Sequence, residues 1–357
     1  MKVLIFISGT ETNQGLDSPM SGEGVWAASL TKMLSLYGHD VTAVAGVPWK
    51  IPSWGNARRY SNVNLTHIWD PRIEYDLVLY TPWENLNVGH RGNYGACTTL
   101  PIKAKAFVHC QFGFGASVET DHTCYHNKHY ICYPYIQDAA QWPTTGNFKY
   151  FPLPIPVYET LTDINPATRK NIIWSSKAVF HKDWPDDHYI LKLGENALKA
   201  LLKLKKEYNF HLYFLDGKYL DTPHAMKAKA PNIIGELKDC TVYHSIIERH
   251  KLMELMGTCR SAIVLGGMLG SFAENIASGA VPLCFPEHIY RGSANELGLI
   301  LDHYTTTEDN IYNNLKRQFE SDEFYLKTIG MYRHELRHHS YARVYEYFQD
   351  MCKSIGL

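Results

Sequence analysis

The stretch that decides the fold is Ser261–Pro286, "SAIVLGGMLGSFAENIASGAVPLCFP". It opens on a short apolar run, loosens at Gly266, Gly267 and Gly270, and continues as "SFAENIASG", apolar at helical spacing. A second apolar run, "AVPLCFP", closes it. Strand, glycine turn, helix and strand in that order form a βαβ unit, whose strands run parallel with the helix crossing between them. The strands are apolar without alternation, as in a sheet covered on both faces.

The same alternation extends outward on both sides. Upstream lie the strand "NIIWSS", the helix "DDHYILKLGENALKALLKLKKEY", the strand "FHLYFLD" ending at Gly217, the segment "PNIIGEL" and the helix "HSIIERHKLMELMGTC". Downstream, "FYLKTIGMYRHELRHHSYARVYEYFQDMCKSIGL" reads as two helices broken near Gly330. The first 150 residues follow the same grammar. The strand "KVLIFIS" leads through a glycine-rich loop, "GTETNQGLDSPMSGEG", to the helix "VWAASLTKMLSLYG", which Gly38 ends. "HDVTAVAG", "YDLVLYT", "KAFVHCQ" and "KHYICYP" are further strands. Between the halves, "FPLPIPVYETLTDINPATRK" carries four prolines, which break helices and favour an extended linker. The fold class expected is therefore α/β, with two Rossmann-like doubly wound domains, 1–160 and 161–330, facing a central cleft. Ligands of open parallel sheets bind beyond the carboxyl ends of the strands.

Bulk properties narrow the function. A chain of 357 residues is too long for one core and suits two domains. With a net charge of −1 there is no overall field for a polyanion, so such a partner must be met by a local patch. "KVLIFIS" is too short for a signal peptide, and no window has the apolar length to cross a bilayer. The eight cysteines are scattered without a CxxC pair, as in a reduced, cytoplasmic protein. His122, Cys124, His126, His129 and Cys132 crowd into "HTCYHNKHYIC", but their spacing fits no common zinc pattern. A polar loop with buried thiols is the expectation there, and no metal.

Three places carry residues suited to an anionic ligand. Gly22 and Gly24, in "SGEG" at a helix N-terminus, let backbone N–H groups approach an anion, although the loop is neither a dinucleotide fingerprint nor a Walker loop. In "SSKAVFHKDW", Lys177 and Lys182 stand five apart on the turn leaving a strand. Lysines are usually solvated, but Trp174, Phe180 and Trp184 are placed to pin this turn to the sheet and aim two ammonium groups at the ligand edge. In the opening segment, Gly270 loosens the turn, Ser271 can cap the helix, and Glu274 falls within its first turn, where a carboxylate suits vicinal hydroxyls such as those of a ribose or simply caps the helix.

These motifs in this order resemble those of the GT-B nucleotide-sugar glycosyltransferases, above all the retaining group that acts on bacterial glycans and glycolipids. "SKAVFHKD" keeps the spacing of that group's Arg and Lys, which hold the donor diphosphate, with Lys177 at the Arg position and Lys182 at the Lys position. "ENIASGAVPL" is similar to the group's "E-A-hydrophobic-A-x-G-x-P-V" and puts Glu274 where the ribose-binding glutamate sits. "LYGHDVTAV" is similar to "GHEVTVV" of the first domain, and His109 in "FVHCQFG" looks like a first-domain histidine near the sugar, a buried hydrogen-bonded histidine being the other account of it. Two departures stand out: Gly266 occupies the position of the group's first glutamate, and Lys177 loses the bidentate fork of an arginine.

The resemblance implies a glycosyltransferase that needs no cofactor, takes a nucleotide-diphosphate sugar as donor, and uses fixed cations in place of a metal. It also implies that 331–357 crosses back to the first domain. The acceptor side falls in "VPWKIPSWGNARRYSN", where Trp49 and Trp54 alternate with Arg58 and Arg59. Aromatics among cations suit a glycan, a lipid or a small molecule, and they also suit DNA. Phage enzymes that glycosylate hydroxymethylated DNA are GT-B proteins of about this length, and a phage origin would place the protein in the host cytoplasm. A nucleotide-sugar epimerase of the same fold, with Glu84 and His109 as acid–base candidates, and a non-catalytic sugar- or nucleic-acid-binding module are the alternatives.

Overall fold

The computed structural model describes residues 1–7, 22–45, 62–66, 69–80, 102–110, 129–133, 150–175, 179–182, 185–215, 220–243, 247, 249–265, 269–283 and 306–357. They fall into two units, Met1–Glu159 with His338–Leu357, and Thr160–Arg337.

The first unit holds seven parallel strands: β1 (Lys2–Ile7), β2 (Asp40–Ala45), β3 (Val63–Thr66), β4 (Glu74–Tyr80), β5 (Lys103–Cys110), β6 (His129–Tyr133) and β7 (Tyr150–Pro152), with helix α1 (Gly22–Leu36) between β1 and β2. The sheet order is β3-β2-β1-β4-β5-β6-β7, so the chain reverses its direction of winding between β1 and β4. Val3, Leu4, Ile5 and Phe6 of β1 are all buried, which is why this strand is apolar throughout. The proline-rich stretch is less of a linker than its composition suggests, because it starts in β7, and Leu153, Ile155 and Val157 are buried. Prolines at an edge strand cost no ladder bonds.

The second unit holds five parallel strands: β8 (Asn171–Trp174), β9 (Leu212–Phe214), β10 (Thr241–Tyr243), β11 (Cys259–Ile263) and β12 (Val281–Leu283), in the order β10-β9-β8-β11-β12. Its helices are α2 (Tyr189–Lys205), α3 (Pro223–Lys227), α4 (Ala230–Glu236), α5 (Arg249–Gly257), α6 (Leu269–Ser278), α7 (Glu308–Glu320) and α8 (Asp322–Leu336). The core is built on Ile172, Trp174, Phe180, Leu198, Leu201, Leu212 and Phe214, with the apolar stripe of α2 laid across it.

Helix α9 (Tyr341–Ser354) belongs to the first unit. Tyr345 stacks on Tyr37 at 3.8 Å and its hydroxyl meets His39 Nε2 at 3.0 Å. The helix break expected near Gly330 falls instead at 337–340, since α8 runs through Gly330 unbroken. Buried His339 and Ser340, whose hydroxyl accepts from Arg343 N–H as an N-cap, end one helix and start the next. A single glycine costs a helix only about 1 kcal/mol, which packing readily offsets. Among the described residues, no helix is long and apolar enough to cross a membrane.

Candidate functional site

The winding of the second sheet reverses between β8 and β11, and at such a switch point a parallel sheet leaves a crevice beyond its strand ends. Two segments flank it, the turn after β8 and helix α6 after β11. Both are held in place by side chains that can be named.

The β8 turn is anchored from within. Val179 and Phe180 are fully buried, and a Cβ on Gly194 of α2 would collide with Val179 Cγ1 and lie 3.1 Å from Phe180 Cζ. The absence of a side chain at Gly194 is thus what admits the turn. Thr222 Oγ1 donates to the carbonyl of Phe180 at 2.7 Å, closing the turn from the other side. Lys182, two residues on, is exposed. Lys177 and Trp184 lie outside the described residues, and Trp174 and Phe180 are buried.

Helix α6 starts at Leu269, two residues earlier than the sequence suggests. Ser271 is therefore its third residue and no N-cap, and Glu274 is its sixth, one turn deeper than a capping acid. The physical reason is that Gly270 is accommodated inside the helix and does not end the preceding loop. Glu274 is 6% exposed, with Oε1 shielded from solvent.

Asn275, which the sequence reading passed over, joins the two segments. Its Nδ2 donates to Ser175 Oγ at 2.9 Å and to the carbonyl of Ser271 at 2.7 Å. Ser175 follows β8 directly and is itself tied to β11 through its N–H and the carbonyl of Ile263 at 3.1 Å. Both side chains are buried. The signal was available, since an asparagine stands where the resembled motif has an alanine, and a buried amide needs partners.

The far end of α6 is fixed as firmly. Gly279 has φ +93°, the N–H of Ala280 reaches the carbonyl of Asn275 at 2.8 Å, and that of Gly279 reaches Ile276 at 3.0 Å, a Schellman ending. Arg333 donates to the carbonyls of Ile276 at 3.2 Å, Ala277 at 2.9 Å and Thr162 at 2.7 Å. Tyr325 Oη donates to the carbonyl of Gly279 at 2.7 Å. Arg169, 2% exposed, lies so close that a Cβ on Gly279 would sit 2.7 Å from its Cζ.

In the first unit the switch point lies between β1 and β4. Gly22 and Gly24 are the first and third residues of α1, the helix that follows β1. His109 is the last residue but one of β5, in register with Tyr80 of β4 and Ile131 of β6. Trp49, Trp54, Arg58, Arg59, Glu84 and Gly266 lie outside the described residues, as do His122, Cys124 and His126. Among the described residues no three His, Cys, Asp or Glu side chains gather as metal ligands.

With this geometry in hand, comparison with known proteins defines the fold. No family model and no curated protein matches the sequence. The backbone is similar to that of a glycosyltransferase from Rickettsia africae (TM-score 0.60, 10% identity, 99% of this chain and 98% of that one). It is similar to sucrose-phosphate synthase from Thermosynechococcus elongatus (TM-score 0.58, 11% identity, 99% of both chains). A putative UDP-N-acetylglucosamine 2-epimerase from Listeria monocytogenes also matches (TM-score 0.52, 11% identity, 92% of this chain and 90% of that one). The chain has the GT-B fold, an α/β architecture with two parallel sheets and flanking helices.

Proposed function

We propose that this protein is a glycosyltransferase that moves a sugar from a nucleotide-diphosphate sugar to a hydroxyl acceptor, with retention at the anomeric carbon. The observation that carries the reading is the switch point of the second sheet, where a turn with a buried anchor (Val179, Phe180) follows β8, and the helix after β11 is tied by Asn275 to Ser175 at the end of β8. The rigid support is what a charge-stabilising site requires, because donors that need not reorganise are worth most in the transition state.

In this reading the anomeric C–O bond breaks and negative charge collects on the diphosphate. Lys177 and Lys182 neutralise it as fixed ammonium groups, so no metal or other cofactor is required. Backbone N–H groups at Gly270 and Ser271, and at Gly22 and Gly24 of the first unit, add partial positive charge. Glu274 takes the vicinal hydroxyls of the nucleotide ribose, and His109 serves the sugar. Trp49, Trp54, Arg58 and Arg59 serve the acceptor, which is a glycan, a lipid, a small molecule or hydroxymethylated DNA. The reaction takes place in the cytoplasm.

The likeness to a putative nucleotide-sugar epimerase supports a second reading, in which the same donor is bound and isomerised without any acceptor. One experiment separates them. Nucleotide sugars are screened by thermal shift, and the best one is incubated with and without glycans and hydroxymethylated DNA. Transfer requires an acceptor-dependent product, and epimerisation gives an isomer of the donor alone. Lys182→Ala lowers turnover by about 10²–10³-fold. Unchanged turnover in that variant, or a screen in which no nucleotide sugar raises the unfolding midpoint, removes the proposal.

A further inference from the structure

Cys110 ends β5, and Cys132 faces it in register on β6. Their sulfurs are 3.4 Å apart, with the Cys132 S–H donating to Cys110 Sγ, and both residues are fully buried. Burial and the neighbouring thiol push the Cys132 pKa well up. Cys240 and Cys259, by contrast, donate to backbone carbonyls within their own segments, at 3.1 Å and 3.3 Å. The pair stands at the carboxyl end of the first sheet, one residue beyond His109, and the sugar transfer proposed above makes no use of it.

We propose that Cys110 and Cys132 form a modification site, a dithiol that closes to an intramolecular disulfide under a two-electron oxidant. Neighbouring strands lie about 4.8 Å apart, so residues in register fall inside the Cα–Cα range of roughly 4.4–6.8 Å that a disulfide spans. The sulfurs must approach by about 1.4 Å to reach bonding distance, a movement that side-chain rotation supplies without parting the strands. Cys110 accepts the hydrogen bond and is the first nucleophile. Its thiolate adds to the oxidant (diamide as the probe), giving a covalent Cys110 adduct. The Cys132 thiol then loses its proton to solvent and attacks the Cys110 sulfur, displacing the reduced reagent as a hydrazine. Two S–H bonds are lost and one S–S bond forms, and two electrons and two protons pass to the diazene. Burial sets the rate, because buried thiols react only as often as this end of the sheet opens locally.

The consequence falls on His109, and that part rests on the functional reading above. The bond locks the end of β5 to β6 one residue from His109 and removes the local freedom of the chain there, so oxidised enzyme loses turnover and dithiothreitol restores it.

The test uses the full chain. Reduced protein is treated with diamide in buffer and in sub-denaturing urea, alkylated after full unfolding, and read by intact mass and peptide mapping. The expected result is a chain carrying two alkyl groups fewer than the reduced control, a Cys110–Cys132 peptide cleaved by dithiothreitol, faster formation in urea, and no such peptide in Cys132→Ser. The decisive reading is on the unaltered chain and needs no active enzyme, so it stands apart from the fate of the functional proposal. Both thiols remaining alkylatable under all conditions, or Cys110 linked to another cysteine, overturns the inference.

Discussion

Gly279→Ala tests whether the ending of α6 is as tightly built as its geometry indicates. Gly279 has φ +93°, where an L side chain is strained by about 1–2 kcal/mol. The added Cβ would also sit 2.7–2.8 Å from Cζ and both terminal nitrogens of the Arg169 guanidinium. That guanidinium cannot retreat freely: it is 2% exposed and donates to the carbonyls of Cys259 at 3.2 Å and Asp163 at 3.4 Å. Overpacking of this kind costs about 1–3 kcal/mol. The sum is a destabilisation of roughly 2–5 kcal/mol, which for a unit of this size lowers the unfolding midpoint by about 5–15 °C. Urea unfolding followed by tryptophan fluorescence measures it, since Trp174 is buried in the core of the same unit. Arg169→Met supplies the control. In that background only the backbone strain remains, so Gly279→Ala should cost about 1–2 kcal/mol there and the two substitutions should be non-additive by the difference. Equal costs in both backgrounds, or a cost below about 0.5 kcal/mol in the wild type, would refute the collision.

Asn275→Ala removes the hydrogen bonds to Ser175 and Ser271 and should cost about 1–3 kcal/mol, with a coupling near 1 kcal/mol to Ser175→Ala in a double-mutant cycle by chemical denaturation. His339 is 1% exposed, donates from Nδ1 to Ile155 O at 3.0 Å, and has its pKa lowered by burial to about 4. Its folded pKa lies below the unfolded one, so stability is fully present above pH 6.5 and is lost as pH falls towards 4, on the order of 3 kcal/mol in all. Denaturation series across that window should show a slope that His339→Asn flattens, and an unchanged slope would contradict it. Gly194→Ala forces Val179 out of its place and should weaken nucleotide-sugar binding together with stability, read by titration of the best donor from the thermal screen.

How far the sequence disclosed the molecule differs by level, and the reasons are physical. The central strands were legible because a strand covered on both faces must be apolar at every position, as in "KVLIFIS" and "NIIWSS". Edge strands were not: β3 exposes Asn64, and β7 hides among prolines that an edge tolerates. Helix α7 was missed because its amphipathic stripe, Ile311, Tyr312 and Leu315, is interleaved with Asn310, Asn313 and Asn314, which read as loop residues. The break at 337–340 was misplaced because a glycine is visible in sequence, whereas the burial of His339 is not. Hydrogen bonds between segments were the least legible of all. Asn275 and Ser175 are a hundred positions apart, and nothing local to either indicates the other.

That last pair bears on why a chain without a single matching family model still has a nameable fold. What the fold demands of α6 is a glycine where φ is positive, small residues where helix and sheet are close, and an apolar face under β12. Gly279, Ala277 and Ile276 meet those demands, and they are the part of "ENIASGAVPL" that resembles other sequences. What the fold does not demand is free to change, provided each buried polar group finds a partner. Asn275 is admissible in the buried helix face because Ser175 Oγ and the carbonyl of Ser271 accept from its Nδ2. A local motif search sees one unusual asparagine, whereas the backbone sees an unaltered crossing. Chains that share about 10% of their residues with this one overlap nearly all of it, as expected where a fold constrains the side chain at only a few positions.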